Sequence, residues 1–455
     1  MADVSSITVA TGTYNIKDKT ARLNNIYPEQ YGAVGDGISD DTAAFQQCFN
    51  LMKQNPNLVL RLANKHYIIK STLELGSYMK IYGTFINNEQ EQGTIVETIG
   101  ANTFSLSDNA TGILIKGICF KSNNFLFLSS SYTLRYLSEI DSCGFVGFSQ
   151  VFNQELLSVK LSNLSINNGG TIGTLSGSDC TIENIYASVL ETQVYDSMLI
   201  SRLSNSVINH LYLTGHVSST DFGCNNLITL TSGSGNVFQN LYLDYCYQNA
   251  INITNAVDQV RNCIFSNVTL RGFGNYGIYM TGTARNNIFN GINLTKSHVP
   301  DIAADNANLF YINQTSYYTQ ISNITSRIAN YVINNHSGTS YILDNLNHTN
   351  TFYNSYENTD NVVYRSQIGI NSKSAINFAH AITSWNIPIK MDASAKIMCM
   401  LDGVTDARVV ITGWTDSVIY GFIYNATDSS LTIPANTHYH YYIYGIRNDA
   451  FNPGS

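Results

Sequence analysis

The feature that most constrains the fold is a six-residue segment that recurs ten times between residues 115 and 348. The copies are IKGICF (115–120), IDSCGF (140–145), LSNLSI (161–166), IENIYA (182–187), INHLYL (208–213), FQNLYL (238–243), FSNVTL (265–270), FNGINL (289–294), ISNITS (321–326) and LDNLNH (343–348). Successive copies begin 21 to 32 residues apart, and their first and fourth positions are apolar in all ten. One such unit cannot bury its own apolar face, so stacked coils are required.

The spacing and the short strands predict an all-β chain, and a parallel β-helix in particular. Side chains alternate inward and outward along each strand, and inward residues stack on their equivalents one coil away. The third position is asparagine in six copies, glycine or serine in three, and histidine once, at His210. Asparagine tolerates a left-handed backbone, so this column is expected where each coil bends, with its amides bonded to neighbours above and below.

Other repeat folds fit less well. The chain has neither the LxxLxLxxN register nor the helix per repeat of leucine-rich repeats, and the irregular period disfavours propeller blades. We therefore predict that residues 60 to 365 form a right-handed parallel β-helix. Beyond residue 366 the repeat stops, and strands such as ARVVITGW (407–414) and HYHYYIYGI (438–446) predict a small antiparallel β-sandwich.

Composition excludes several classes of partner. Charged residues make up 12% of the chain, the net charge is -8, and the 24 lysines and arginines are scattered, which disfavours nucleic acid and anionic membranes. No apolar run is long enough to span a bilayer, and the first residues lack a signal-peptide core, which favours synthesis in a cytoplasm. The eight cysteines form no CxxC pair or zinc spacing, so we expect reduced, mostly buried thiols, and no metal or cofactor.

The stretch YGAVGDGISDDTAAFQ (31–46) looks acidic enough for catalysis but is better interpreted as structural. Its glycines exclude a helix interior, and SDDT supplies N-cap residues before an amphipathic run, so a helix covering the first coil is predicted. Asp40 or Ser39 is expected to cap this helix, Asp41 to complement its dipole, and Asp36 to bond turn amides. The structural motif comprises Gly35, Asp36, Gly37, Asp40, Asp41 and Thr42.

This order, YGAxGDGxxDDTxAxQ followed by a capping helix and irregular coils, resembles the pectate-lyase-like β-helix superfamily. Within it the chain is most similar to bacteriophage tailspikes and capsular polysaccharide depolymerases. The resemblance implies a homotrimer that binds a bacterial surface polysaccharide, sits in the virion tail, and contacts other phage tail proteins through its N-terminus. It divides the chain into an attachment segment (1–25), a cap (26–70), the β-helix with its groove (71–365) and a C-terminal module for trimerisation or sugar binding (366–455).

Two chemistries are open for such an enzyme. Glycoside hydrolysis needs two carboxylates, one of them kept protonated. Elimination from a uronic acid needs a base and a cation that neutralises the sugar carboxylate. Titratable and aromatic residues concentrate just after the sixth repeat position in the middle coils, where a longer loop (214–223) is inserted.

For a hydrolase we expect Asp221 and Asp244 as the carboxylate pair, with Glu191 as the alternative. For a lyase, His216, Tyr247 and Arg271 would act instead. Candidate substrate-binding residues are Tyr245, Tyr247, Arg271, Tyr276, Lys296 and His298. Asp244 and Arg271 could also form only a surface ion pair. A hydrolase is favoured over a lyase, and a non-catalytic receptor-binding spike or adhesin on the same fold is the alternative from a different class.

Overall fold

The computed structural model describes residues 24–87, 92–122, 125–167, 170–189, 195–215, 223–254, 260–281, 284–295, 308–312 and 319–326, with further strands at both ends described by their backbone only. The chain divides into two compact units, Met1–Ile228 and Thr229–Ser455. The strand Cys224–Leu230 contains the boundary between them. Each unit is described separately below.

The first unit contains two parallel sheets, and the chain passes repeatedly from one to the other. The strands of one sheet are Asn25–Ile26, Asp36–Asp40, Val59–Arg61, His66–Ile69, Lys80–Tyr82, Ile95–Thr98, Leu114–Lys116, Cys119–Ser122, Glu139–Asp141, Gly144–Val146, Lys160–Asn167, Thr181–Val189 and Val207–Gly215. The strands of the other are Leu73–Leu75, Phe104–Leu106, Leu126–Ser129, Leu134–Arg135, Gln150–Leu157, Thr171–Ser178 and Tyr195–Ser204. Two antiparallel hairpins, Ser6–Val9 with Gly12–Asn15 and Phe85–Asn87 with Gln92–Gly93, lie outside these sheets.

The second unit repeats this arrangement. One parallel sheet contains Val237–Cys246, Ile264–Phe273, Ile288–Leu294, Thr319–Ser326, Ser340–His348 and Asn361–Arg365. A second contains Asn249–Ile253, Tyr276–Met280, Asn308–Ile312 and Tyr331–Asn335, and a short third contains Gly233–Ser234, Val260–Arg261 and Ala284–Arg285. Parallel pairing between consecutive coils confirms the predicted parallel β-helix, and crossovers between parallel strands are right-handed in nearly all proteins.

The repeat pattern predicts the core correctly. Leu161 pairs with Ile182, and Ile182 with Ile208, on three successive coils, and all three side chains are fully buried. In the second unit Phe238, Phe265 and Phe289 stack with ring centroids 4.8 and 4.7 Å apart. Each such side chain contributes about 1.5–3 kcal/mol by leaving water. The coil spacing is therefore fixed by stacked side chains as well as by backbone hydrogen bonds.

The asparagine column adopts the predicted left-handed conformation. Positive φ angles of 49° to 58° recur at the bends of successive coils. The residues are Ser142, Ser158, Asn163, Asp179, Asn184, Asn205, His210, Asn240, Asn262, Asn267, Asn286 and Asn323. The amide of Asn184 donates to Asn163 over 3.1 Å, and that of Asn267 donates to Asn240 over 2.6 Å. Asparagine combines tolerance of this backbone with a side chain that reaches the next coil.

The opening motif precedes one α-helix, Thr42–Gln54, after a 3-10 turn at Pro28–Tyr31. The prediction that Asp40 or Ser39 caps the helix is wrong: the N-cap residue is Asp41, and its side chain makes no capping hydrogen bond. The Asp41 carboxylate is buried and accepts instead from the backbone amides of Val34, Gly35 and Ile68. Three hydrogen bonds to buried backbone amides stabilise the fold more than one bond at the helix end would. Asp41 therefore holds the loop before the helix in place.

The other motif residues also serve local structure. Asp36 accepts from the backbone amides of Ile38 and Ser39, as predicted, and these bonds lower its pKa. Asp40 accepts from Thr42, whose side-chain hydrogen bond lowers the pKa of Asp40. Gly37 has φ +74°, and a Cβ there would meet the His66 ring at 2.8 Å, so only glycine fits. These contacts indicate that the motif has a structural role.

The helix buries one face of five residues: Ala44, Phe45, Cys48, Phe49 and Met52. Phe45 packs edge-on against Tyr67 at 5.3 Å, and Phe49 stacks with Phe104 at 6.1 Å. The helix is thus attached to strands of both sheets of the first unit. Its role as an end cap stays a prediction.

Strand direction changes near the predicted end of the coils. The last parallel pairing joins Ser340–His348 to Asn361–Arg365. Later strands pair antiparallel: Ile368–Asn371, Ile376–Phe378, His380–Asn386, Lys396–Leu401, Ala407–Trp414, Val418–Asn425, Leu431–Ile433 and His438–Tyr444. The antiparallel pairing was expected, whereas the sandwich packing and the domain limits remain predictions.

Candidate functional site

Half of the predicted site residues have a described environment. Glu191, His216, Asp221, Lys296 and His298 lie outside the described residues, so the Asp221–Asp244 pair stays a prediction. The other candidates, Asp244, Tyr245, Tyr247, Arg271 and Tyr276, all belong to the second unit.

Asp244 and Arg271 are neighbours on adjacent coils, as their shared repeat position predicts. Asp244 lies near the end of Val237–Cys246, and its Cα partner in Ile264–Phe273 is Arg271. Nε of Arg271 is 3.5 Å from Oδ1 of Asp244. Neither of these atoms makes a hydrogen bond within the described part of the chain. The pair is therefore an ion pair with hydrogen-bonding capacity left over.

Two tyrosine hydroxyls hold the Arg271 guanidinium in place. Nη1 donates to the Tyr242 hydroxyl over 3.1 Å, and Nη2 donates to the Tyr245 hydroxyl over 2.8 Å. The Arg271 Cζ also lies 5.3 Å from the centre of the Tyr245 ring, within cation–π range. Burial lowers the pKa of Arg271, but these hydrogen bonds and Asp244 outweigh it, so the pKa is raised overall. The guanidinium is charged and oriented by three neighbours.

Asp244 is a buried carboxyl, only 3% exposed. Burial raises its pKa to about 6, because the low-dielectric surroundings disfavour the charged form more than Arg271 favours it. A carboxylic acid that retains its proton near neutral pH can donate it to a leaving oxygen. The same burial limits direct access, so Asp244 is equally suited to orienting Arg271.

Tyr245 adopts a strained backbone at this site. Its φ is 56°, and the equivalent residue on the next coil, Gly272, has φ 62°. A left-handed conformation costs a bulky residue roughly 1–2 kcal/mol, which glycine avoids. The strained turn points the Tyr245 hydroxyl at Arg271.

A cluster of three tyrosines follows on the second sheet of the same unit. Tyr276, Tyr279 and Tyr311 have ring centroids 4.7 to 5.1 Å apart, and all three are partly exposed. Tyr279 and Tyr311 are Cα partners on Tyr276–Met280 and Asn308–Ile312. Burial, and then the neighbouring tyrosine, raise the pKa of Tyr276. These neutral rings form a platform suited to stacking on a sugar face.

Sequence reasoning missed Tyr242, Tyr279 and Tyr311. Tyr242 could have been found from strand alternation, because it lies two residues before Asp244 and so shares its outward face. Tyr311 could not, because Tyr279 and Tyr311 lie on strands of the second sheet, which contain no copy of the six-residue repeat to fix their register. Tyr247 is 54% exposed, as a ligand-contacting residue should be.

Two further features are absent from the residues that the structure describes. Those residues contain no group of three or more potential metal ligands. No helix among them is long and apolar enough to cross a bilayer.

No family model matches this sequence, and no curated protein matches it. Among solved structures, DFA-IIIase from Arthrobacter chlorophenolicus A6, without its lid and in complex with GF2, is 10% identical with a TM-score of 0.51 over 71% of this chain and 94% of that chain. The Agl-KA catalytic domain is 13% identical with a TM-score of 0.50 over 76% of this chain and 70% of that chain. A tailspike protein of the E. coli bacteriophage HK620, in complex with a hexasaccharide, is 9% identical with a TM-score of 0.47 over 96% of both chains.

At these identities the likeness concerns the fold. Solved structures similar to this chain include phage tailspike proteins and other β-helix proteins, and its long parallel sheets agree with a right-handed β-helix.

Proposed function

We propose that this protein binds and degrades a bacterial surface polysaccharide, as a tailspike depolymerase of a bacteriophage. The observation that carries the proposal is the outward cluster of Asp244, Arg271, Tyr242 and Tyr245, in the same unit as the tyrosine platform. A charged, oriented guanidinium combined with partly exposed aromatic rings suits a polar, ring-shaped ligand. The homotrimer, the virion tail and attachment through the N-terminus belong to the same proposal.

Glycoside hydrolysis is the favoured reaction. Asp244, with its pKa raised to about 6, would protonate the leaving oxygen. Hydrolysis also needs a second carboxylate as nucleophile or base, and the candidates from the sequence are Asp221 and Glu191. In the alternative elimination reaction, Arg271 would neutralise a sugar carboxylate, and His216 or Tyr247 would remove the proton.

The test is to incubate the full chain with a panel of purified capsular polysaccharides, exopolysaccharides and O-antigens. Chain length is followed by size-exclusion chromatography, and new ends by a reducing-sugar assay and ultraviolet absorbance. Shortened chains with reducing ends and no ultraviolet-absorbing product support hydrolysis, whereas an absorbing unsaturated uronate supports elimination. Binding without shortening would contradict the enzymatic part of the proposal.

Substitutions test the assigned carboxylates. Asp221→Asn and Asp244→Asn are each expected to slow cleavage by at least about 100-fold, the usual contribution of a general acid or base. Asp108→Asn removes an exposed carboxyl from the first unit and serves as the control. Normal cleavage by both site variants would contradict the site, even if the activity itself were found.

A non-catalytic binding spike is the second candidate. It is favoured by the 3% exposure of Asp244 and by its pairing with Arg271, which suit a positioning role better than proton transfer. In that case the same residues would recognise the polysaccharide without cleaving it.

A further inference from the structure

The Arg271 guanidinium retains donors that the described protein does not use. Arginine carries five N–H groups, two on each terminal nitrogen and one on Nε. One N–H of Nη1 is bonded to Tyr242, and one of Nη2 to Tyr245. The second N–H of each terminal nitrogen has no acceptor among the described residues. The Arg271 side chain is 20% exposed, so part of it is open to solvent.

The orientation of the guanidinium is fixed before any ligand arrives. Tyr242 and Tyr245 hold its terminal nitrogens, the Tyr245 ring lies at 5.3 Å from Cζ, and Asp244 lies beside Nε. A side chain that is already immobilised loses little further entropy on binding. Tyr245 has a left-handed backbone at this turn, and its hydroxyl is bonded to Nη2.

A planar carboxylate matches the two unused donors. One N–H on each terminal nitrogen can bind the two oxygens of one carboxylate, a geometry that a single sugar hydroxyl cannot satisfy. The Tyr245 hydroxyl accepts from Arg271, and its own hydrogen has no acceptor among the described residues, so it can donate to the same anion. Three donors can thus converge on one acidic group.

We infer that Arg271, held by Tyr242, Tyr245 and Asp244, binds a carboxylate of the substrate, so that the polysaccharide contains an acidic sugar. This inference rests on the proposed function and names its substrate class. The sparse lysine and arginine content, 24 in 455 residues, points to one acidic group per bound repeat rather than a densely charged chain.

The experiment compares the native chain and Arg271→Gln on a panel of carboxylate-bearing and neutral bacterial polysaccharides. Affinities are measured by biolayer interferometry, and each bound polysaccharide is then carboxyl-reduced to the alcohol and measured again. We expect the native chain to select carboxylate-bearing polysaccharides and to lose about 10- to 100-fold in affinity on carboxyl reduction, the worth of a charged hydrogen-bonded pair. The Arg271→Gln variant should bind each polysaccharide with the same affinity before and after carboxyl reduction.

Controls separate charge, geometry and folding. Arg261→Gln removes an exposed arginine from another sheet of the same unit and should leave the selectivity unchanged. Tyr245→Phe retains the guanidinium and the ring but removes one orienting hydroxyl, and should reduce the carboxylate selectivity about 3- to 10-fold. It provides the test if Arg271→Gln does not fold, as judged by circular dichroism.

The outcomes distinguish the two claims. Binding of neutral polysaccharides as tightly as acidic ones, or an equal effect of carboxyl reduction on native chain and Arg271→Gln, would overturn the inference and leave the proposed function intact. Preferential binding of polysaccharides whose only anion is phosphate would overturn the carboxylate assignment. Absence of binding to every polysaccharide would overturn both claims.

Discussion

Oδ1 of Asp244 lies 3.5 Å from Nε of Arg271 on the neighbouring coil, and neither atom makes a hydrogen bond in the described part of the chain. A buried carboxyl beside an oriented guanidinium affects both the stability of the coil and the chemistry available to a ligand. Substitutions at the two residues separate these effects.

The stability of the protein should depend on the protonation of Asp244. Its pKa is raised from 3.8 to about 6 on folding, so the folded state binds this proton more tightly than the unfolded state. The stabilisation is therefore fully present below about pH 4 and is lost as the pH rises through about 6. Relative to Asp244→Asn, the native chain should lose up to roughly 3 kcal/mol in free energy of unfolding over this window, as measured by urea unfolding at several pH values. Parallel curves for the two proteins would contradict the raised pKa.

Removing the Arg271 guanidinium should lower the stability of the protein more than removing a surface arginine does. Arg271→Gln leaves the Asp244 carboxyl buried without its cation, so the free energy of unfolding at neutral pH is expected to fall by about 3 kcal/mol. The loss should shrink in acid, where Asp244 becomes neutral. Urea unfolding of Arg271→Gln and of the surface control Arg261→Gln measures the difference, and the control should change by about 0.5 kcal/mol or less. Equal losses in both variants would show that the pair has no special role.

Replacing Tyr245 at its left-handed turn should affect binding more than stability. Tyr245→Gly removes backbone strain worth roughly 1 kcal/mol, which offsets the lost hydrogen bond and ring contact with Arg271, so the midpoint of thermal unfolding should change little. Polysaccharide affinity should fall, because the ring and the hydroxyl that orient Arg271 are lost. A large drop in the unfolding midpoint would show that Tyr245 is needed for folding instead.

In the asparagine column, two substitutions of Asn267 should lower the free energy of unfolding by different amounts. Asn267→Gly retains the left-handed backbone and loses only the bond to Asn240, so it should cost roughly 1 kcal/mol in free energy of unfolding. Asn267→Ala loses the same bond and also lacks the short polar side chain that lets asparagine tolerate φ 53°, so a cost of roughly 2–3 kcal/mol is expected. Urea unfolding of the two variants checks the order, and a more stable alanine variant would contradict it.

The tyrosine platform predicts a loss of sugar binding without a loss of fold. Tyr279→Ala removes the ring that contacts both Tyr276 and Tyr311, and affinity for a bound polysaccharide should fall about 3- to 10-fold. Tyr132→Ala, which removes an exposed tyrosine from the first unit, is the control. Equal affinities of the two variants would exclude the platform from the binding site.

Features that depend on one residue and its register could be predicted from the sequence. The buried positions follow from alternation along each strand, and the left-handed column follows from the preference of asparagine for that backbone. Asp244 and Arg271 were predicted to be neighbours because they occupy the same repeat position on consecutive coils. The helix was predicted, but its N-cap was not, because Asp41 is used by amides 6 to 27 residues distant in sequence.

Features that depend on how the chain connects the coils could not be predicted. The contact between Tyr279 and Tyr311 joins two strands of the second sheet, which carry no copy of the six-residue repeat, and Tyr245 is left-handed where the equivalent residue of the next coil is a glycine. The burial of Asp244 likewise does not follow from alternation along its strand, which places Asp244 on the same face as the partly exposed Tyr242.

Because of the asparagine column, the alignment of neighbouring coils does not depend on the number of residues in each coil. Asn163 and Asn184 are 21 residues apart and Asn240 and Asn267 are 27 apart, yet both pairs form the same amide-to-amide bond between left-handed residues. A coil can therefore gain or lose several residues between its bends while the strands on either side keep their alignment. Foreign peptides could be grafted into these connections, which would make the chain a carrier for displayed sequences as well as an object for changing glycan specificity one loop at a time.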